Sequence, residues 1–366
     1  MAGIYVHIPF CKRRCLYCDF FSTTMLGRQK EYIEALLKEI AARRNETGEP
    51  IRTIYLGGGT PSTLESADIS RLLQAIGTAD ATEVTMEMNA GDADTAYLQA
   101  IRQAGVNRLS IGIQSFQDEL LRQIGRRHTA AQAAEAVHIA QEAGFDNISI
   151  DLIYALPSQR TEQWQADIET ALDLGIQHIS CYGLMYEEGT ALTKMLETGQ
   201  ITAIDEDTEN AMYDYLCERL KAAGFVHYEV SNFALPGYEA QHNSSYWNGT
   251  PYIGIGAGAH SYTRKDGEAV RSWNPDDLDA YIQGINNGTL VRGNERLTER
   301  DLFNEQVMLG LRTSHGCTLP PSVSRRATVG YYKELDLLSE PEEGHIIATQ
   351  KGLHVLNRII EDLMEG

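Results

Sequence analysis

The sequence predicts an α/β protein: an open, partial (β/α)6 barrel of the TIM-like kind over residues 1–225, a connecting region over 226–290, and a winged-helix-like module over 291–366. Three observations carry this. Short apolar, β-branched runs alternate six times with longer segments of helical periodicity. Glycine follows most of the helical segments, a usual stop. Polar residues recur where the apolar runs end, as they do on the rim of a barrel. With 366 residues and 43% hydrophobic composition, the chain can bury a large core and divide into two or three domains.

The first strand is read over residues 4–8, and Tyr32, Ile33, Leu36, Leu37 and Ile40 then recur on one helical face. A second strand, 53–56, runs into Gly57-Gly58-Gly59-Thr60-Pro61 and a helix carrying Ile69, Leu72, Leu73 and Ile76. The third strand is 84–88, with a helix ending at Gly105. The fourth is 108–113, with a helix over 131–143 stopped by Gly144. The fifth is 148–153, with a helix over 163–174 before Gly175, and the sixth is 178–182, with a helix over 211–223 before Gly224. Six βα units imply a parallel sheet wrapped by helices, and six rather than eight leave the barrel open.

Barrel chemistry collects at the C-terminal ends of the strands. Strand one leads into Cys11, Cys15 and Cys18, spaced C-x3-C-x2-C. Thiolates suit zinc or iron–sulfur clusters, but a structural zinc site needs four closed ligands and no second cysteine pair follows. Three thiolates on a four-iron cube leave one iron open to chelate a ligand. Around this loop the same rim rule gathers the glycine run, Glu87 at the end of strand three, Gln114 at the end of strand four, and Asp151 on strand five. Glycines let a backbone approach a ligand, and a strand-end carboxylate can accept from a ribose diol. Each alone is better read as a turn or a structural polar residue; their shared rim favours a site.

Past residue 225 the composition shifts toward Gly, Asn, Tyr and Trp. In the run Gln241-His242-Asn243-Ser244-Ser245-Tyr246-Trp247, a histidine beside two large aromatics suits a flat ligand with a metal at its centre, but taken alone it more often marks ordinary core packing. His260 is a weaker candidate ligand. Gly254-x-Gly256-x-x-Ala259 mimics a dinucleotide fingerprint but lacks the long helix and distal acidic residue that the fingerprint needs. Residues 301–311 and 353–363 read as amphipathic helices, and 345–349 as a short strand.

The formal charge of −20 argues against nucleic acid as a partner, in spite of the winged-helix pattern. No apolar run approaches a membrane span, so no stable membrane insertion is expected, and no signal peptide precedes the first strand. With reduced thiols near the start, the expected location is cytoplasmic. Cys181, Cys217 and Cys317 sit in apolar segments and read as core residues.

The three-cysteine loop resembles that of the radical S-adenosylmethionine (SAM) superfamily. The resemblance implies a 4Fe-4S cluster on Cys11, Cys15 and Cys18, with SAM chelated at the open iron and a reductant to supply electrons. Tyr5-x-His7-Ile8-Pro9-Phe10-Cys11, the glycine-Thr-Pro run and the spacing from Glu87 through Gln114 and Arg126 to Asp151 resemble the oxygen-independent coproporphyrinogen III oxidase family over nearly the whole chain. By that resemblance Tyr5, Gly58, Gly59, Thr60, Glu87, Gln114, Arg126 and Asp151 contribute to SAM binding, with Tyr17 beside the cluster. The oxidases carry a fourth cysteine two residues beyond the third, where this chain has Phe20. His242-Asn243-x-x-Tyr246-Trp247 is similar to the haem-binding signature of the HemW-type haem chaperones. The resemblance therefore implies a haem chaperone that passes haem to an acceptor apo-haemoprotein. Oxidative decarboxylation of coproporphyrinogen III, or another radical SAM reaction on a tetrapyrrole, stands as the alternative.

Overall fold

The computed structural model describes residues 1–265, 267–324 and 327–365. Six parallel strands run in sequence order: β1 (Ala2–Ile8), β2 (Ile51–Gly58), β3 (Glu83–Asn89), β4 (Arg108–Gln114), β5 (Ile148–Tyr154) and β6 (His178–Gly183). Between them lie α1 (Gln29–Arg43), α2 (Ser66–Ile76), α3 (Thr95–Gln103), α4 (Asp118–Gln123), α5 (Ala130–Glu142) and α6 (Thr161–Asp173). After β6 come α7 (Ala191–Glu197) and α8 (Glu206–Ala222). The partial (β/α)6 barrel is thus present, with α4 and α7 as short additions too brief to show periodicity.

Period-two alternation decides what each strand shows to the lumen. On β4, Leu109, Ile111 and Ile113 are fully buried toward the helices, whereas Arg108, Ser110, Gly112 and Gln114 face inward. The outer side is closed by apolar helix faces such as Ile69, Leu72, Leu73 and Ile76 of α2. One continuous core results, from Ile4 through Leu56, Ile111 and Ile150 to Trp164 and Leu216.

Residues 226–297 add strands to both edges of this sheet, so the strand Gly293–Leu297 falls in the sheet although it lies past residue 290. The hairpin β7 (Val226–Glu229) and β8 (Asn232–Ala234) pairs antiparallel with β6. After α9 (Gln241–Trp247), strand β9 (Tyr252–Ile255) pairs parallel with β1, and β10 (His260–Lys265) and β11 (Glu268–Trp273) continue antiparallel. Helix α10 (Leu278–Asn287) and strand β12 (Gly293–Leu297) complete a sheet of 12 strands. A buried carboxylate fastens the β9 edge. Glu39 on α1 accepts from Arg43 (2.6 Å), the Gly256 amide (2.9 Å), Asn274 (2.9 Å) and Tyr281 (2.7 Å). The Gly254–Ala259 run is therefore the end of β9 and a turn bound to α1, as its rejection as a nucleotide fingerprint anticipates. His260, by contrast, stacks on Trp273 of β11 and is not among the residues lining either lumen cavity.

The winged-helix-like module has its own core around Val307, Leu311, Ile346, Ile359 and Leu363. It comprises α11 (Glu299–Gly310), β13 (Cys317–Thr318), α12 (Pro321–Ser324), α13 (Ala327–Glu334), β14 (Leu338–Glu342), β15 (His345–Ala348), α14 (Gln350–Leu353) and α15 (Leu356–Leu363). The sheet order is β13-β15-β14, where the sequence showed only one strand. The helix expected over 353–363 is broken at His354, whose ring reaches Asn210 (2.9 Å) and Asp214 (2.8 Å) on α8. Cys181, Cys217 and Cys317 are buried and unbridged, in agreement with a core role.

Candidate functional site in the barrel lumen

The loop after β1 is held by its backbone and by His7. Cys11 N–H donates to the Thr23 carbonyl (2.9 Å), Thr23 N–H to Pro9 (2.7 Å), and Leu16 N–H to Ile124 (3.1 Å). His7 Nε2 donates to the Phe21 carbonyl (2.9 Å), which leaves Nδ1 to accept from the Tyr5 hydroxyl (3.0 Å). These bonds turn Cys11, Cys15 and Cys18, all unbridged, onto one cavity of about 490 Å³. Cys11 Sγ lies 3.5 Å from Thr60 Oγ1, and Arg126 donates to Cys15 Sγ at 3.5 Å. Burial pushes the Cys11 and Cys18 thiols up. A bound thiophilic metal centre would displace those protons, since its ligand is the thiolate.

Among the described residues no three His, Cys, Asp or Glu side chains converge on a single-ion site. A cube has a different requirement, because its thiolates bind three separate irons. The donor set fits such a group: three thiols around one cavity, a guanidinium against one of them, and no fourth cysteine among the cavity's described residues.

The rim residues meet in the same cavity. Tyr17, Gly58, Gly59, Thr60, Glu87, Gln114, Arg126 and Asp151 all line it beside the three cysteines. Gly58 adopts φ +115° and its N–H donates to Glu87 Oε2 (3.0 Å), while the Tyr55 hydroxyl donates to Oε1 (2.8 Å). Burial, with the nearby Asp151 charge adding to it, pushes Glu87 up to about 7. Asp151 is also raised by burial, with Ser110 donating to it at 3.2 Å. Gln114 turns off β4 at φ +73°, and Arg126 bonds the Gly112 carbonyl. Gly59 has no room for a side chain: a Cβ there would lie 2.8 Å from the Pro9 carbonyl carbon and 3.0 Å from Cys11 Sγ.

Tyr5, expected among the SAM-binding residues, is not a wall of the cluster cavity. Two residues before His7 on β1, it faces a deeper level of the lumen and lines a second cavity of about 390 Å³ with Tyr246 and Trp247. The two cavities share Tyr55, Glu87, Tyr182 and Asn243 as walls.

Helix α9 closes this deeper end. Its first amides, of Gln241 and His242, donate to Glu83 (2.8 and 2.9 Å), which satisfies part of the helix N-terminus. Asn243, Tyr246 and Trp247 line the second cavity, but His242 does not. It is 1% exposed, stacks on Tyr55, and bonds Thr53 through Nδ1 (2.8 Å) and Tyr246 through Nε2 (2.9 Å). Gly3 permits this approach, since a Cβ there would lie 3.0 Å from the His242 ring. Burial lowers His242 to about 3, so the imidazole is neutral at pH 7. Sequence reading missed Tyr55, Arg108, Tyr182, Glu229 and Arg312, which also line the cavities. For the four on strands, the available signal was alternation: each lies on the inward register of its strand.

A model of the radical SAM superfamily matches residues 5–171. The chain is 40% identical to the heme chaperone HemW of Lactococcus lactis subsp. lactis, over 85% of this chain and 82% of that protein. The heme chaperone HemW of Bacillus subtilis is 35% identical over 92% and 88%. The chain belongs to the HemW family of radical SAM proteins. The structure of the coproporphyrinogen III oxidase HemN from Escherichia coli matches with a TM-score of 0.83 over 99% of this chain and 90% of that one, at 23% identity, and shows a common fold. Membership of the HemW family implies a 4Fe-4S cluster and SAM. Cys11, Cys15 and Cys18 would hold such a cluster, which would supply electron transfer to SAM in the same cavity. The chain's own part is local: Arg126 steadies the Cys15 sulfur, and the Gly58 amide and Tyr55 orient Glu87.

Proposed function

We propose that this chain is a haem chaperone, which binds haem beside the lumen and passes it to an acceptor haemoprotein. A 4Fe-4S cluster on Cys11, Cys15 and Cys18 and an exchangeable SAM, contacted by Tyr17, Gly58, Gly59, Thr60, Glu87, Gln114, Arg126 and Asp151, occupy the outer cavity. A cellular reductant serves the cluster, and the protein works in the cytoplasm. Tyr5 contributes from below, through His7 and the cysteine loop. The carrying observation is that Asn243, Tyr246 and Trp247, from a motif similar to the HemW haem signature, line a cavity sharing walls with the cluster cavity.

His242, Asn243, Tyr246 and Trp247 form the haem site. His242 is neutral and so chemically able to ligate iron, but both ring nitrogens are engaged. Ligation through Nε2 requires the Tyr246 hydroxyl to turn away.

Anaerobic reconstitution, haem titration and transfer to an apo-haemoprotein, with and without SAM, test this reading. His242→Ala is expected to lose the wild-type Soret spectrum; an unchanged spectrum and affinity would remove His242 as ligand. With SAM, a reductant and coproporphyrinogen III, no CO2 is expected. Stoichiometric CO2 with two new vinyl groups would replace the chaperone reading with the oxidase one. Phe20 speaks against that outcome, standing exposed at the mouth of the cluster cavity where a thiol would be needed.

A further inference from the structure

Arg108, the first residue of β4, is 1% exposed, yet it is a full positive charge lining the cluster cavity. Its Nε has no hydrogen-bond partner. Among the described residues, no acceptor takes a hydrogen bond from its side chain and no carboxylate forms an ion pair with it. Other buried charges among the described residues are bonded. Glu39 accepts four hydrogen bonds, and Asp167 is bonded by Ser115 (2.6 Å), Gln117 (2.9 Å) and the Phe116 amide (3.0 Å). Leaving the buried Nε unbonded carries a cost, and the two terminal nitrogens are not among the buried unpartnered atoms, so they stay open to the cavity. The open N–H groups of a planar fork match a carboxylate in two-point contact.

Position narrows the ligand. Arg108 lies four residues before Gly112, about 13 Å along the strand from the level where Arg126 bonds. It is therefore deep in the lumen, on the side of α9, and Asn243 of the haem motif lines the same cavity. The surroundings include Asp151, Glu87 and Ser110, so a multiply charged anion such as phosphate is repelled, whereas a single carboxylate is tolerated. A cavity of about 490 Å³, already shared with the rim site, admits a side arm rather than a whole macrocycle.

We propose that Arg108 is a specificity residue that binds a propionate carboxylate of the tetrapyrrole, reaching past Asn243 into the lumen. The proposal rests on the haem reading above and adds to it the group by which the ligand is recognised. The competing role, a distant counter-charge to Asp151, makes no distinction between acidic and esterified ligands.

Haem and its dimethyl ester are titrated anaerobically into the reconstituted full chain, as wild type, Arg108→Met and Arg108→Lys. The wild type is expected to bind the free acid at least about tenfold more tightly than the ester. Arg108→Met should lose about tenfold for haem and leave the ester unchanged, with Arg108→Lys between. Should Arg108→Met fail to take up the cluster, Arg108→Lys decides by the same acid-to-ester ratio. Equal losses on both ligands, or none, overturn the proposal. A wild type that binds acid and ester equally well keeps the haem reading and removes Arg108 from it. A wild type that binds neither removes both.

Discussion

Gly59 shows how a single hydrogen atom in place of a side chain can fix a metal site. Gly59→Ala would press a methyl group against the Pro9 carbonyl and Cys11 Sγ. It should cost about 1–3 kcal/mol through overpacking and reduce iron incorporation, measured as iron and absorbance per chain after reconstitution. His242 carries a pH dependence. Its folded pKa of about 3 lies below the ordinary 6.5, so the stability from its neutral, buried form is complete above pH 6.5 and is lost as pH falls toward 3. The difference in unfolding free energy between wild type and His242→Ala should therefore shrink by about 3 kcal/mol between pH 7 and pH 4.5, read from urea unfolding at each pH. Equal differences at the two pH values would show that the ring is not held neutral by burial. At this scale the cysteines and the rim carboxylates were legible, because residue type and spacing carry them. Arg108 was not, since an arginine opening a strand reads as a surface residue until alternation is combined with strand order.

Between elements, the least legible feature was also among the most consequential. Nothing in the spacing of Glu39, Gly256, Asn274 and Tyr281 connects them, yet their bonds attach the β9 edge and α10 to α1. Glu39→Ala would leave Arg43 and three neutral donors without their acceptor, and should destabilise the protein by about 3–5 kcal/mol in equilibrium unfolding. A loss under 1 kcal/mol would mean the network is replaceable by water. The six βα units were legible for the opposite reason: their periodicity is local, and their glycine stops lie within a few residues of the helix ends. The edge strands β7–β12 were missed because their pairing partners lie far off in sequence and their short runs carry no period of their own.

For the molecule as a whole, a net charge of −20 outweighs what the winged-helix-like shape suggests. Duplex DNA should show no retardation by the full chain at physiological salt; salt-sensitive binding there would contradict this. Among the described residues no helix is long and apolar enough to cross a membrane. The module is not a loosely tethered appendage. Val230 N–H donates to the Arg312 carbonyl (2.8 Å) and Ser314 N–H to the Tyr228 carbonyl (3.0 Å), across the β7–β8 turn. Glu229, Ser231 and Asn232 of that turn, with Arg312 itself, are wall residues of the 390 Å³ cavity. A pull on the module is thus transmitted to the chamber's side wall through those backbone links, as well as to α8 through His354.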